Sequence, residues 1–281
     1  MQVVIISGLS GSGKSVALNV LEDASFYCAD NLPATLLSAT IDFLAQAGYE
    51  RVAITVDARS GLALAELPAS MRRLKAIGVD VRLLFLDAKN ETLIKRFSET
   101  RRRHPLDGGD ATLDEAIARE RELLEEVGEL GQRIDTSDLA PNTLRAWIRD
   151  VVAIDRSGMT LAFESFGFKQ GIPLDADLVF DVRCLPNPFY DPKLRPLTGL
   201  DEEVIRFLDA VPAARAMLAD IGDFIARWLP AFVRDNRAYL TVALGCTGGQ
   251  HRSVWFAEQL ARRFRGETPV LVRHRQLGTP R

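Results

Sequence analysis

Through the first half of the chain, short apolar runs alternate with stretches whose apolar residues recur every three to four positions. Residues 3–6, 26–29, 52–56 and 83–86 are of the first kind and predict strands, and 133–135 also reads as a strand. Residues 14–22, 33–47, 63–77, 89–103, 112–127 and 141–152 are of the second kind and predict helices. Strands separated by helices are joined by crossovers, which implies a mostly parallel sheet wrapped by helices. Ligands of such sheets collect at the carboxyl ends of the strands. The polar residues that close the apolar runs are therefore candidates: Asp30, Asp57 and Asp87.

After residue 153 the rhythm changes. Strands are expected at 160–163, 178–181, 239–244 and 270–273, and helices at 201–211, 213–229 and 251–265. A proline-bearing irregular stretch occupies 185–196. The break at 153–158 predicts two domains, 1–153 and 158–281, as a chain of 281 residues is long for one core.

The first strand runs into Gly8-Leu9-Ser10-Gly11-Ser12-Gly13-Lys14-Ser15, which fits the phosphate-binding loop G-x-x-x-x-G-K-[ST] at every fixed position. Glycines let backbone N–H groups close around phosphate oxygens. Lys14 would reach the β- and γ-phosphates, Ser15 would ligate Mg²⁺, and the following helix points its positive end at the same anion. This predicts a nucleoside triphosphate site. A second metal-side carboxylate should come from a strand end. Hydropathy leaves Asp30, Asp57 and Asp87 open, with Asp57 preferred because Arg59 and Ser60 follow it. Each would equally serve as a helix cap.

Arg101, Arg102 and Arg103 form the densest basic run and resemble the arginine lid of small-molecule kinases; a solvated helix end is the plainer reading. His104 reads as a turn residue. A second strand–glycine loop–helix lies at Cys246-Thr247-Gly248-Gly249-Gln250-His251-Arg252-Ser253. Its C-x₅-R spacing resembles the loop of cysteine phosphatases. Backbone N–H groups, the helix start and Arg252 would hold a phosphate there and depress the Cys246 thiol pKa. The expectation is phosphate or phosphosugar binding, with hydrolysis and a structural loop as alternatives. Arg183, Asn187, Tyr190 and Lys193 in the irregular stretch are candidates to complete a pocket.

Composition narrows the classes. A net charge of −3 gives no global attraction to nucleic acid or anionic membranes. The terminal arginines Arg273, Arg275 and Arg281 are candidates for a few RNA phosphate contacts, which would need oligomerisation to bind tightly. Three scattered cysteines argue against a disulfide framework, and no apolar stretch reaches membrane-spanning length. Residues 1–7 read as a core strand, so no signal peptide is expected and a cytoplasmic location is.

Taken together, GLSGSGKS at 8–15, YCADNLP at 27–33, DARS at 57–60, RRRHPL at 101–106, LPNP at 185–188, LTGLD at 197–201 and GCTGGQHRSV at 245–254 resemble the RapZ/YvcJ family of bacterial nucleotide-binding proteins. The resemblance spans nearly the whole chain. It implies an α/β fold, with a P-loop kinase-like parallel-sheet domain followed by a second α/β domain carrying a phosphate-binding loop. It further implies an ATP site at 8–15, a GTP-associated segment at Asp57, Ala58, Arg59 and Ser60, and slow hydrolysis of both nucleotides. A phosphorylated amino sugar such as glucosamine-6-phosphate is the implied second ligand, and an RNA or RNase the implied partner. Two functional classes compete. One is a nucleotide-gated regulator; the other is a small-molecule kinase using ATP and the arginine lid.

Overall fold

Val3, Val4, Ile5 and Ile6 have no exposed surface, so the first strand is covered on both faces and reads as a continuous apolar run without alternation. The computed structural model describes residues 1–107, 112–153, 159–235, 237 and 239–277, and they divide into two units, Met1–Arg149 and Asp150–Arg281. The expected domain break falls largely on residues 154–158, outside the described residues.

The first unit runs β1 (Gln2–Gly8), α1 (Lys14–Asp23), β2 (Tyr27–Ala29), α2 (Leu37–Gln46), β3 (Arg51–Thr55), α3 (Leu67–Ala76), β4 (Asp80–Asp87), α4 (Asn90–Thr100), α5 (Leu113–Gly128), β5 (Gln132–Asp135) and α6 (Pro141–Ala153). Its five strands are parallel in the order β2-β3-β1-β4-β5. All five carboxyl ends therefore share one edge, with β1 in the middle. Thr112 starts α5 with a reciprocal cap: its hydroxyl accepts the Glu115 N–H at 3.3 Å, and Glu115 accepts the Thr112 N–H at 2.7 Å. Those bonds hold the Glu115 carboxyl below its usual range.

Three predicted helices start or stop elsewhere, each for a local reason. A 3₁₀ turn over Ala34–Leu36 takes the first residues after Pro33, so α2 opens at Leu37. Another 3₁₀ segment, Ala58–Glu66, is kinked at Gly61 and delays α3 to Leu67. The predicted helix 89–103 ends at Thr100 because Arg101 adopts φ 51°, a left-handed cap. Arg101, Arg102 and Arg103 thus lie outside the helix.

The second unit contains β6 (Thr160–Gly167), β7 (Leu178–Asp181), α7 (Glu202–Asp209), α8 (Pro212–Arg234), β8 (Tyr239–Cys246), α9 (Arg252–Phe264) and β9 (Val270–His274). The parallel order is β7-β8-β6-β9. Its core joins Phe163, Leu240, Val242 and Leu244 to Trp255, Phe256 and Leu260 of α9. α8 continues past the predicted stop through Pro230. Pro230 has no N–H to give to the carbonyl four residues back, and that carbonyl belongs to Ala226, an exposed residue.

The expectation that Arg273 and Arg275 meet RNA is corrected by burial. Arg273 is 2% exposed, pairs with Glu164 in the β6–β9 ladder and lies 4.0 Å from Asp175. Arg275 donates to Glu164 Oε1 at 3.0 Å. Both cations serve buried carboxylates, and Arg281 lies outside the described residues. Burial, and then the Asp175 charge, push Glu164 up to about 7 against the pull of Arg275 and Arg273. A carboxyl raised in the folded state stabilises the fold below its ordinary pKa, and that contribution is lost as pH rises through about 7. Glu164→Gln stays neutral throughout. Wild type should therefore lose melting temperature relative to this variant between about pH 5 and about pH 8. A gap that stays constant across that range would contradict the burial argument.

Two candidate phosphate-binding loops

Gly8 closes β1 with φ 133°, and a Cβ there would stand 2.0 Å from the Leu86 carbonyl oxygen of β4. Leu9 donates its N–H to that same carbonyl at 3.1 Å, so the chain leaves the sheet in contact with β4. Gly13, φ 107°, caps α1, and a Cβ there would meet Leu144 at 2.9 Å. Between them the loop turns back over the helix start. Lys14 Nζ donates to the Gly8 carbonyl at 2.6 Å and the Leu9 carbonyl at 3.1 Å. Burial pushes the Lys14 ammonium below its ordinary value, while the charges of Glu120, Asp57 and Asp30 oppose that shift. Ser15 is exposed in the first turn of α1.

The three strand-end aspartates separate. Asp87 accepts Arg121 of α5 at 2.9 and 3.0 Å and the Ala88 N–H at 2.7 Å, which ties it to the neighbouring helix. Asp57, 4% exposed, accepts the Arg59 N–H at 3.0 Å and its guanidinium at 2.7 and 3.0 Å. Ser60 donates to the Asp57 carbonyl at 3.0 Å, and Ala58 is buried in the same turn. Thr55 donates to the Asp30 carboxylate. Asp57 and Asp30 act on the Lys14 charge.

Several supporting residues were not singled out from sequence. Arg96 donates to the Gly11 carbonyl at 3.0 Å and the Thr136 carbonyl at 2.7 Å, and the Thr136 hydroxyl donates to the Ser12 carbonyl at 2.8 Å. The signal for Thr136 was available in part, because it follows Asp135 at the end of the predicted strand 133–135. Glu120 is buried and bonds Ser10 of the loop, and His104, read from sequence as a turn residue, is instead buried against Glu120 and reaches the loop through it.

In the second unit β8 ends at Cys246 and α9 begins at Arg252. Burial alone would raise the Cys246 thiol pKa. The Ser253 hydroxyl at 3.1 Å, together with the N–H groups of Ser253, Gly249 and His251, reverses that and holds it below its ordinary value. The Gly249 N–H lies 3.2 Å from the sulfur. Arg252 Nη1 donates to the carbonyls of Arg183 at 2.8 Å and Leu185 at 2.7 Å, and Nη2 donates to Thr247 Oγ1 at 3.3 Å. Its Nε is buried and has no hydrogen-bond partner among the described residues.

A cavity of about 610 Å³ opens beside this arginine, lined by Arg183, Asn187, Tyr190, Phe207, Thr247 and Arg252 among others. Arg183, Asn187 and Tyr190 thus meet the loop as expected, whereas Lys193 is not among the lining residues. Nothing crowds Gly248. His251 is turned elsewhere: its Nε2 meets the Leu194 carbonyl at 3.1 Å, which pins the irregular stretch to the loop. Cys246 and Ser253 are buried beneath the loop and do not line the cavity. The cavity itself is therefore built from Thr247, Arg252, Phe207 and residues of the stretch 183–190.

The pattern of the RapZ-like N-terminal domain matches residues 1–156, and that of the RapZ C-terminal domain matches residues 159–278. The chain belongs to the RapZ-like family. A nucleotide-binding protein of Thiobacillus denitrificans is 61% identical over 99% of this chain and 100% of its own length. Another from Azoarcus sp. is 62% identical over 98% of this chain and 94% of its own. Among solved structures, shikimate kinase from Bacteroides thetaiotaomicron is similar at 14% identity and a TM-score of 0.39, over 54% of this chain and 98% of that one. A sugar kinase from Janibacter sp. is similar at 20% identity and a TM-score of 0.35, over 52% and 91%. In this RapZ-like chain each matched domain carries one of the two glycine loops at the carboxyl end of its sheet.

Proposed function

We propose that this protein is a regulator gated by a nucleotide and a phosphorylated metabolite. It binds ATP and GTP with Mg²⁺ at residues 8–15 and hydrolyses them slowly. The observation that carries the reading is the first loop: glycines at 8, 11 and 13, Lys14 folded over the loop carbonyls, and a helix start beneath it. That the relatives are nucleotide-binding proteins supports it. Ser15, Asp57 and Asp30 are oxygen donors of the kind Mg²⁺ prefers, and Ser15 would hold the ion directly. When bound, Mg²⁺ would neutralise charge on the terminal phosphates. Asp57 is already engaged by Arg59, which makes it a poor base for activating water, in keeping with slow turnover. ATP consumption that rises by orders of magnitude with an added small-molecule acceptor would favour the kinase reading instead.

The second loop would take a phosphorylated amino sugar, glucosamine-6-phosphate being the candidate. Arg252 Nε, buried beside the cavity without a partner among the described residues, supports an anion there. Isothermal calorimetry on the full chain should show binding of this sugar phosphate, weakened about tenfold or more in Arg252→Lys, which keeps the charge but loses the planar fork. Equal affinity in a folded Arg252→Lys protein would remove the site. Cleavage of p-nitrophenyl phosphate that depends on Cys246 would revive the phosphatase alternative. An RNA or RNase partner rests on the family resemblance, since Arg273 and Arg275 are spent on Glu164. Assembly as a homo-oligomer in the cytoplasm belongs to the same reading, and sedimentation with and without structured RNA tests both assembly and RNA binding.

A further inference from the structure

Glu120 carries a carboxylate into the interior of the first unit, 1% exposed, and the nucleotide reading above makes no use of it. Its oxygens are taken by donors from two separate segments. Ser10, inside the glycine loop, donates its N–H to Oε2 at 2.8 Å and its hydroxyl to Oε1 at 2.7 Å. His104 reaches Oε2 through Nε2 at 3.0 Å. The tautomer follows from the other ring nitrogen. Nδ1 accepts the Leu106 N–H at 3.2 Å, so the proton sits on Nε2 and is donated to Glu120.

His104 directly follows Arg101, Arg102 and Arg103, which are exposed and form no ion pair among the described residues. A solvated helix end requires no such anchor. Here a buried imidazole is bonded to a buried carboxylate, which is bonded in turn to the backbone of the nucleotide loop. A buried carboxylate stripped of its donors is costly, so the three groups hold one another in place. The Phe97 ring adds a packing path: it lies 5.2 Å from the His104 ring and beside Gly11 of the loop. Glu120 is also first among the charges that sustain the Lys14 ammonium.

We propose that Glu120 and His104 are positioning residues that tie the arginine segment 101–103 to the glycine loop, so that the three guanidinium groups are presented to the terminal phosphate of a nucleotide held at residues 8–15. The proposal rests on the nucleotide reading and adds to it the device that joins its two halves. Without the anchor, the arginines remain in the chain but no longer act on the loop.

Two measurements on the full chain test it. Hydrogen exchange without nucleotide should speed up in His104→Ala both at 101–107 and at 8–15, and His104→Gln, whose amide still donates, should restore protection at both. Equilibrium binding of a fluorescent Mg-ATP analogue should weaken about tenfold when Arg101, Arg102 and Arg103 are changed together to alanine. The same triple change made in His104→Ala should cost less than about twofold, because the arginines are already uncoupled. Exchange that changes only at 101–107, or arginine effects of equal size in both backgrounds, overturns the proposal. Should His104→Ala fail to fold, Ser10→Ala removes one bond of the anchor, leaves the Ser10 N–H in place and should act in the same direction. If wild type itself does not retain Mg-ATP, the nucleotide reading falls, and the exchange experiment alone decides whether the anchor exists.

Discussion

Lys14→Ala should leave a folded protein whose affinity for Mg-ATP and Mg-GTP is lower by about a hundredfold, or about 3 kcal/mol, the scale of charge-assisted bonds to phosphate oxygens. The side chain is half-buried and its carbonyl partners, Gly8 and Leu9, lie in the loop itself, so its loss does not disturb the sheet. Removing it also takes away a cation that Glu120 and Asp30 face, while Asp57 keeps Arg59, so the site attracts a polyphosphate less strongly. Circular dichroism checks the fold and equilibrium titration reads the affinity. Unchanged binding in a folded variant would falsify the assignment of residues 8–15.

Gly8→Ala should have the largest effect on stability, more than about 4 kcal/mol, at the edge of what a single substitution does. Two costs coincide. An alanine at φ 133° is strained, and its Cβ would sit 2.0 Å from the Leu86 carbonyl oxygen and 2.7 Å from the Leu86 nitrogen, both backbone atoms that cannot swing aside. β1 and β4 would have to part at the point where the loop leaves the sheet. Gly61→Ala is the control: φ 53° and ψ −131° are also strained for alanine, but nothing among the described residues lies within 4 Å, so only the strain cost of about 1–3 kcal/mol is expected. Urea unfolding of the two variants separates strain from collision. Similar losses in both would mean that the Leu86 contact contributes nothing.

The strands and both glycine loops were legible because each rests on local pattern: β1 is apolar on both faces, and Gly8 to Ser15 carry the spacing that a phosphate cradle requires. What escaped is what the tertiary fold brings together. Glu120 sits on a helix rich in other acids, and nothing local marks it as the one turned inward to Ser10. His104 beside Pro105 looks like a turn, and only the packing of α5 makes it a buried donor. Arg273 ends an apolar run close to the end of the chain, where exposure is the ordinary expectation; its partner Glu164 lies on a distant strand. The choice among Asp30, Asp57 and Asp87 was open for the same reason, because Arg121, which occupies Asp87, lies on α5.

The strand order of the first unit also bears on how the chain is made. β1 leaves the ribosome before either of its neighbours, and Gln2 pairs with Arg51 on one side and Asp80 on the other. No hairpin closes in the meantime, since every pairing in this sheet is parallel. Until β4 has emerged, a run of four large aliphatic residues stands with at least one unpaired edge, the kind of segment that recruits other nascent chains. Ribosomes stalled just after residue 60 should therefore display a chain bound by holding chaperones, and release should coincide with translation past residue 87 plus the length of the exit tunnel.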